Sequence, residues 1–144
     1  MIHLEDIDEN NWREPLAVRE DQSRFVSPPF KLLARAYAYR NARSQALMIC
    51  ADETPVGMLL YYDGEDINAF VFSQLFIDMR YQGHGYGFAA AKAAIALMKR
   101  DGKYNRIVIC YVEGNDAVKG LYLKLGFKDT GERDGDELVM SLVW

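Results

Sequence analysis

Cysteine and histidine are scarce: Cys50, Cys110, His3 and His84 are all that occur in the 144 residues. Without a spaced set of such ligands the sequence offers no metal-binding cluster, and no metal is expected. Both cysteines fall in strand-like runs and are expected to be buried free thiols. Long apolar runs are absent too, none approaching the ~20 residues that span a bilayer. The start Met1 to Asp6 has neither a basic head nor an apolar stretch, so a cytoplasmic protein without membrane contact is expected. Positive charge is not in excess: 17 basic against 21 acidic residues give a net charge of −4. That argues against a general nucleic-acid binder and leans toward a cationic partner. Repeats and low-complexity segments are missing as well.

What remains is the composition of a folded domain, half hydrophobic and 26% charged, of a length that makes one domain over residues 1–144. The most informative stretch is Gln82-Gly83-His84-Gly85-Tyr86-Gly87, between the strand-like run Phe70 to Ile77 and the helical run Phe88 to Lys99. A loop with little side-chain bulk feeding into a helix aims unpaired N–H groups and the positive end of the helix dipole at one spot, which favours a phosphate. The loop lacks the Lys-Ser/Thr of a P-loop. It also lacks the placement of the dinucleotide fingerprint, because its strand reads as the fourth of the chain.

Ile2 to Ile7 reads as a first strand. Trp12, Leu16 and Val18 suggest a helix over Asn10 to Phe25, with Pro15 near its start. Ser27-Pro28-Pro29 then opens a second helix through Leu32, Leu33, Ala36 and Tyr37. Ala46 to Ala51 and Val56 to Tyr62 form a hairpin across Asp52 to Pro55. A second turn, Asp63 to Asp66, leads into the run Ile67 to Ile77. After the glycine loop, Phe88, Ala91, Ile95 and Met98 mark one helix face, and Asp101-Gly102 ends the helix. Arg106 to Val112 reads as a strand buried on both faces and parallel to its predecessor. Asn115 caps a short helix closed by Gly126. Phe127 to Glu132 and Glu137 to Val143 make a last hairpin around Asp134-Gly135.

Within that order, Leu75-Phe76-Ile77-Asp78-Met79-Arg80-Tyr81-Gln82-Gly83-His84-Gly85-Tyr86-Gly87 resembles the acetyl-CoA motif of the GNAT superfamily of N-acetyltransferases. The family pattern is Gln/Arg-x-x-Gly-x-Gly/Ala after a strand ending Leu-x-Val. Gln82, Gly85 and Gly87 match it, with Ile77 in the valine place. Downstream, Asn115 to Phe127 resembles Asn-x-x-Ala-x-x-Leu-Tyr-x-x-x-Gly-Phe with one residue fewer between Asn and Ala. The resemblance implies a mixed α/β (α+β) fold with a central sheet of about seven strands and about four helices. Asn11 to Glu14, Ala51 to Gly57 and Ile77 to Gly83 look most like bacterial spermine/spermidine acetyltransferases. One departure is Gln74, where an arginine is expected.

The resemblance implies direct transfer of an acetyl group from acetyl-CoA to a primary amine of a small polycation such as spermidine. Other amines (an amino acid, an aminoglycoside, a protein N-terminus) and a non-catalytic acyl-CoA-binding module are the alternatives. It assigns the loop amides of Gln82, Gly83, His84, Gly85, Tyr86 and Gly87 to the pyrophosphate, with the His84 side chain in solvent. It assigns the splayed strand Leu75, Phe76 and Ile77 to pantetheine and the thioester oxygen, Asn115 to a CoA contact, and Tyr122 to protonation of the departing thiolate. An amine of pKa ~10.4 is unprotonated about once in 10³ encounters at pH 7, a penalty of about 4.6 kcal/mol, so a base is required. No Glu or His lies on Phe70 to Ile77. Asp78 suits a loop cap, Asp66 lies at the far end, and Glu113 is the candidate base to test first. The oligomeric state stays open; family members are often dimers, and the C-terminal strand ending at Trp144 offers an edge for a homodimer.

Overall fold

The computed structural model describes residues 1–18 and 29–144. Among them, in chain order, run β1 (Ile2–Asp6), α1 (Pro29–Ala38), β2 (Gln45–Ala51), β3 (Thr54–Gly64), β4 (Ala69–Ile77), α2 (Tyr86–Asp101), β5 (Arg106–Val112), α3 (Asp116–Lys124), β6 (Lys128–Asp134) and β7 (Glu137–Val143). The strands form one sheet in the order β1-β2-β3-β4-β5-β7-β6. Every neighbouring pair is antiparallel except β4 and β5, because the α2 crossover returns the chain in the same direction.

Alternation along the strands sorts the apolar side chains into two cores. Leu47, Ile49, Leu59, Phe70, Phe72, Ile107 and Ile109 face α2, meeting Ala90, Ala91, Ala94, Ile95 and Met98. Met48, Cys50, Met58, Leu60 and Phe76 face the other way, packing with Leu32 of α1 and with Leu16. Burial on both faces is why these strands read as continuous apolar runs.

One extra residue reshapes β4. Tyr61 pairs with Phe72 but Leu60 pairs with Gln74, so Ser73 is bulged out of the ladder. The bulge resets the alternation: Leu75 and Ile77 now pack with the α2 core as Phe72 does, and Phe76 with the α1 core. Pairing of β4 to β5 stops at Phe72 opposite Ile109. Beyond that point the two strands part.

Several expectations need correction. Residues 10–18 form no helix: the Asp8 carboxylate accepts from Asn10 N–H (2.8 Å), and Trp12 N–H bonds to Asp8 O (3.1 Å) in a single turn. Ala17 then spends its backbone on the segment after β4. The rest of the expected first helix and the Ser27-Pro28 start lie outside the described residues; among the described residues three α-helices are found. Ile67 belongs to a 3-10 turn, and β4 begins at Ala69. The helix after the glycine loop starts at Tyr86, two residues early, taking Gly87 into its first turn. The last hairpin turns on Gly135-Asp136, with Asp134 opposite Glu137. Cys50 is buried as expected, but Cys110 is exposed. β7 is not an edge: it lies between β5 and β6. The apolar Leu138 to Met140 need neighbours on both sides, and the polar, largely exposed β6 takes the edge.

Gly57 lies where β3 passes the end of β4. A Cβ there would sit 2.2 Å from the Phe76 carbonyl oxygen, so a strand position where alanine ordinarily stabilises has the opposite sign. Gly57→Ala is expected to lower stability by about 1–3 kcal/mol. A urea melt showing a lower midpoint at unchanged slope supports the contact; an unchanged midpoint refutes it.

Candidate active site

Where β4 leaves the sheet, a cleft of about 340 Å³ opens against the start of α2. Leu75, Phe76 and Ile77 form one wall, Ala117, Val118 and Leu121 of α3 the other, and Gln82, Gly83, Gly85, Tyr86 and Gly87 the end. Gly83 and Gly85 have φ of +82° and +78°, in the left-handed region. A Cβ on either would meet nothing within 4 Å, so the loop backbone is bare toward the opening. Gly85 caps α2 without a side-chain bond, and no acidic residue stands in the first turn. The first intrahelical bond is Ala89 N–H to Gly85 O. The N–H groups of Tyr86, Gly87 and Phe88 therefore have no partner within the helix. Gln82 turns its side-chain amide to the Ile77 carbonyl (3.0 Å), tying loop to strand. His84 stands outside the cleft lining, bonded to Tyr81 O (3.0 Å) and stacked on Tyr86 at 5.4 Å.

The loop is anchored by Asp78, which is 1% exposed. Its carboxylate accepts from Ala17 N–H, Arg80 N–H and Arg80 Nε at 2.8–2.9 Å, and Met79 N–H returns a bond to Ala17 O (2.8 Å). These bonds draw the N-terminal segment across the sheet end, so that Val18 lines the cleft. Burial alone would raise the Asp78 pKa, but the Arg80 guanidinium and the two backbone donors outweigh it and hold the group below the usual carboxylate range.

A second, polar cleft of about 120 Å³ occupies the gap between β4 and β5. Leu75, Asn115 and Val118 line both clefts, so the two meet in the gap. Tyr122 lines the second, set edge-on to Phe72 and Phe127 at 6.3 and 5.4 Å. Burial pushes its pKa up, so the phenol keeps its proton at neutral pH. Asn115 sits at the N-cap of α3 as expected but makes no side-chain cap bond.

Sequence reading missed several residues of this cleft. Arg35 of α1 donates to Ser73 Oγ at 3.1 Å, bringing a cation beside the place where Gln74 replaces the expected one. Gln74 Oε1 is buried with no hydrogen-bond partner among the described residues. Cys110 and Glu137 complete the lining. Glu113, by contrast, lines neither cleft; it is exposed and paired with Arg133. Glu137 heads β7 opposite Val112. Its one sequence signal is an acid opening an otherwise apolar strand.

The fold also joins three possible metal ligands that the sequence separates. His3, Glu5 and Cys50 bring their ligand atoms within 4.8 Å of one another. They lie on β1 and β2, outside both clefts, and burial followed by the Glu5 carboxylate pushes the Cys50 thiol up to about 11, which keeps it protonated.

The chain matches the acetyltransferase (GNAT) family over residues 4–127 and belongs to that family. Among curated proteins it is 37% identical over 79 residues to a spermine/spermidine N(1)-acetyltransferase of Bacillus subtilis (strain 168), covering 54% of this chain and 52% of that protein. The match thus spans about half the length of that relative. Among solved structures, the fold is shared with a spermidine N-acetyltransferase from Vibrio cholerae in complex with CoA and spermine (TM-score 0.76, 15% identity, 99% of this chain and 95% of that one). It is shared equally with the aminoglycoside acetyltransferase AAC(6')-Ib in complex with coenzyme A (TM-score 0.80, 16% identity, 99% and 95%).

Asp78→Asn is expected to cost about 1–3 kcal/mol, since the amide cannot satisfy three donors at once. A carboxyl with a depressed folded pKa stabilises above its unfolded value near 3.9 and loses that contribution as pH falls through the folded value. Wild-type stability should therefore drop below about pH 4 more steeply than that of Asp78→Asn. Parallel pH–stability curves would remove the carboxylate from its anchoring role.

Proposed function

We propose that the protein transfers an acetyl group from acetyl-CoA to a primary amine of a small polycation of the spermidine type. The observation that carries the reading is the meeting of two unlike clefts in the gap between β4 and β5. One is walled by apolar side chains and ends in bare amides at a helix start; the other is polar and holds an acid and a phenol. Coenzyme A suits the first: the loop of Gln82, Gly83, Gly85, Tyr86 and Gly87 offers N–H groups to its diphosphate, and the side of β4 that leaves β5 offers backbone groups to pantetheine. Acetyl-CoA supplies the activated acyl group.

The chain's own residues do the rest. Backbone N–H groups of β4 act as donors to the oxygen on which negative charge develops, and Tyr122 holds a proton beside the place where sulfur departs. His84 contributes backbone only, and Asn115 lies where both partners would meet. The polycation is supported by the curated relative and by the carboxylates of Glu132, Asp134 and Asp136, whose hairpin borders the second cleft; the field of Glu137, Asp134 and Glu132 reaches Cys110 and raises its pKa, after the larger effect of burial. Arg35 favours a second reading, an acceptor that carries a carboxylate as well as an amine.

A panel of spermidine, spermine, amino acids and aminoglycosides, with released thiol as the readout, separates these acceptors; no release with any amine would refute the transferase reading. Tyr122→Phe should lower kcat by about 10- to 100-fold at unchanged CoA affinity, and equal rates would remove the acid role. Gly85→Val should weaken CoA binding at least about tenfold, by placing a β-branched residue at positive φ where the backbone must stay bare. Calorimetric titration of CoA reads this, and equal affinity would detach the loop from the cofactor.

A further inference from the structure

Two groups in the second cleft have no work assigned to them. The Gln74 side-chain oxygen is buried without a donor among the described residues, although buried acceptors are nearly always satisfied. The Glu137 carboxylate, at the head of β7, lines the same cleft as Tyr122 and makes no ion pair among the described residues. An ammonium group is the complement of this pair: it brings N–H donors to an oxygen, and a positive charge to a carboxylate, that make no hydrogen bond and no ion pair, respectively, among the described residues.

We propose that Gln74 and Glu137 form the seat of the acceptor's ammonium group, Gln74 accepting one N–H and Glu137 removing the proton that blocks attack. This inference rests on the transferase reading and names its acceptor site. The proton step balances within the pair: one N–H bond of the ammonium breaks, its electrons stay on nitrogen as the nucleophilic pair, and the proton bonds to a Glu137 oxygen. Partial burial is the chief reason the Glu137 pKa is raised, with Asp136 and Asp134 adding to it and Arg35 opposing, which makes this carboxylate a stronger base than an exposed one.

The surroundings also set the direction of the rest of the acceptor. Arg35 of α1 closes one side with a positive charge, while Cys110 of β5 and Tyr122 of α3 face the seat as neutral groups. The Glu113–Arg133 pair, outside the cleft lining, is self-neutralising. Among the described residues, the β6–β7 turn, with Asp134 and Asp136, presents the negative charge that acts on Glu137. A polycation seated by one end therefore extends toward that turn and away from α1.

The test uses spermidine as the probe, titrated into the protein loaded with acetyl-free CoA, alongside steady-state transfer from acetyl-CoA. Glu137→Gln should weaken spermidine at least tenfold, lower kcat/KM about 100-fold and abolish the acid limb of its pH profile, at unchanged CoA affinity. Glu137→Asp should keep that limb with a smaller loss. Gln74→Met, which keeps the length and removes the oxygen, should raise KM for spermidine about 5-fold with kcat within twofold. Spermidine binding and an acid limb that survive Glu137→Gln overturn the seat, as does wild-type protein that takes up no spermidine. Binding that both variants weaken, in a wild type that transfers nothing, upholds the seat while the transferase reading fails. Circular dichroism melts establish that each variant is folded.

Discussion

Everything in the active region depends on a single loss of pairing, the parting of β4 from β5 beyond Phe72 and Ile109. Parallel strands that continued in register would bury their facing backbone groups and leave no space between Leu75 and Tyr111. The extra residue at Ser73 prevents this by shifting the β3–β4 register, which bends the strand and resets which residues face which side. One irregularity thereby makes both clefts and joins them. It also places Leu75 on the wall of each.

The two sides of that gap are polarised differently. Toward α2 the walls are apolar, aliphatic and aromatic, and the helix start offers backbone amides whose partial positive charge is fixed and does not titrate. Toward α1 the polar groups are side chains of both signs, Arg35 and Glu137, with a neutral Tyr122 in the same cleft. A fixed positive field suits a permanent anion such as a diphosphate, while titrating side chains suit a partner that must lose a proton. Asp78 braces the first cleft: its carboxylate gathers Ala17 and Arg80, and Met79 N–H bonds Ala17 O, so the loop and the N-terminal segment that line it are held together.

How much of this was legible in the sequence varies with the range of the interaction. The glycine loop, the α2 stripe and the strands buried on both faces were readable because their signals are local, set by φ, helical period and continuous apolar runs. The irregular path of residues 14–18 was not, because Trp12, Leu16 and Val18 imitate helical spacing and only the distant Asp78 carboxylate reveals the competitor for Ala17 N–H. The order of β6 and β7 was hidden for a similar reason: a hairpin signal says that two strands pair, not which of them meets β5. Glu137 escaped notice because its partner in space, Val112, lies 25 residues earlier in a ladder that no local pattern encodes. Glu113, nearer in sequence to the expected place, is taken up by Arg133 instead.

Burial acts on Tyr122 and Glu137, which both line the second cleft, with the same sign and opposite usefulness. It raises the pKa of Tyr122 and of Glu137 alike, because a low-dielectric surrounding penalises the charged form of each. For the phenol the consequence is retention of its proton at neutral pH, as a donor requires. For the carboxylate it is a tighter hold on a proton once received, as an acceptor requires, provided the group is still ionised when the amine arrives. Arg35 works toward that condition: its positive charge pulls the Glu137 pKa down against burial, Asp136 and Asp134, although the net shift stays upward. The cation of α1 that would repel a polyamine thus also opposes protonation of the carboxylate that would receive one.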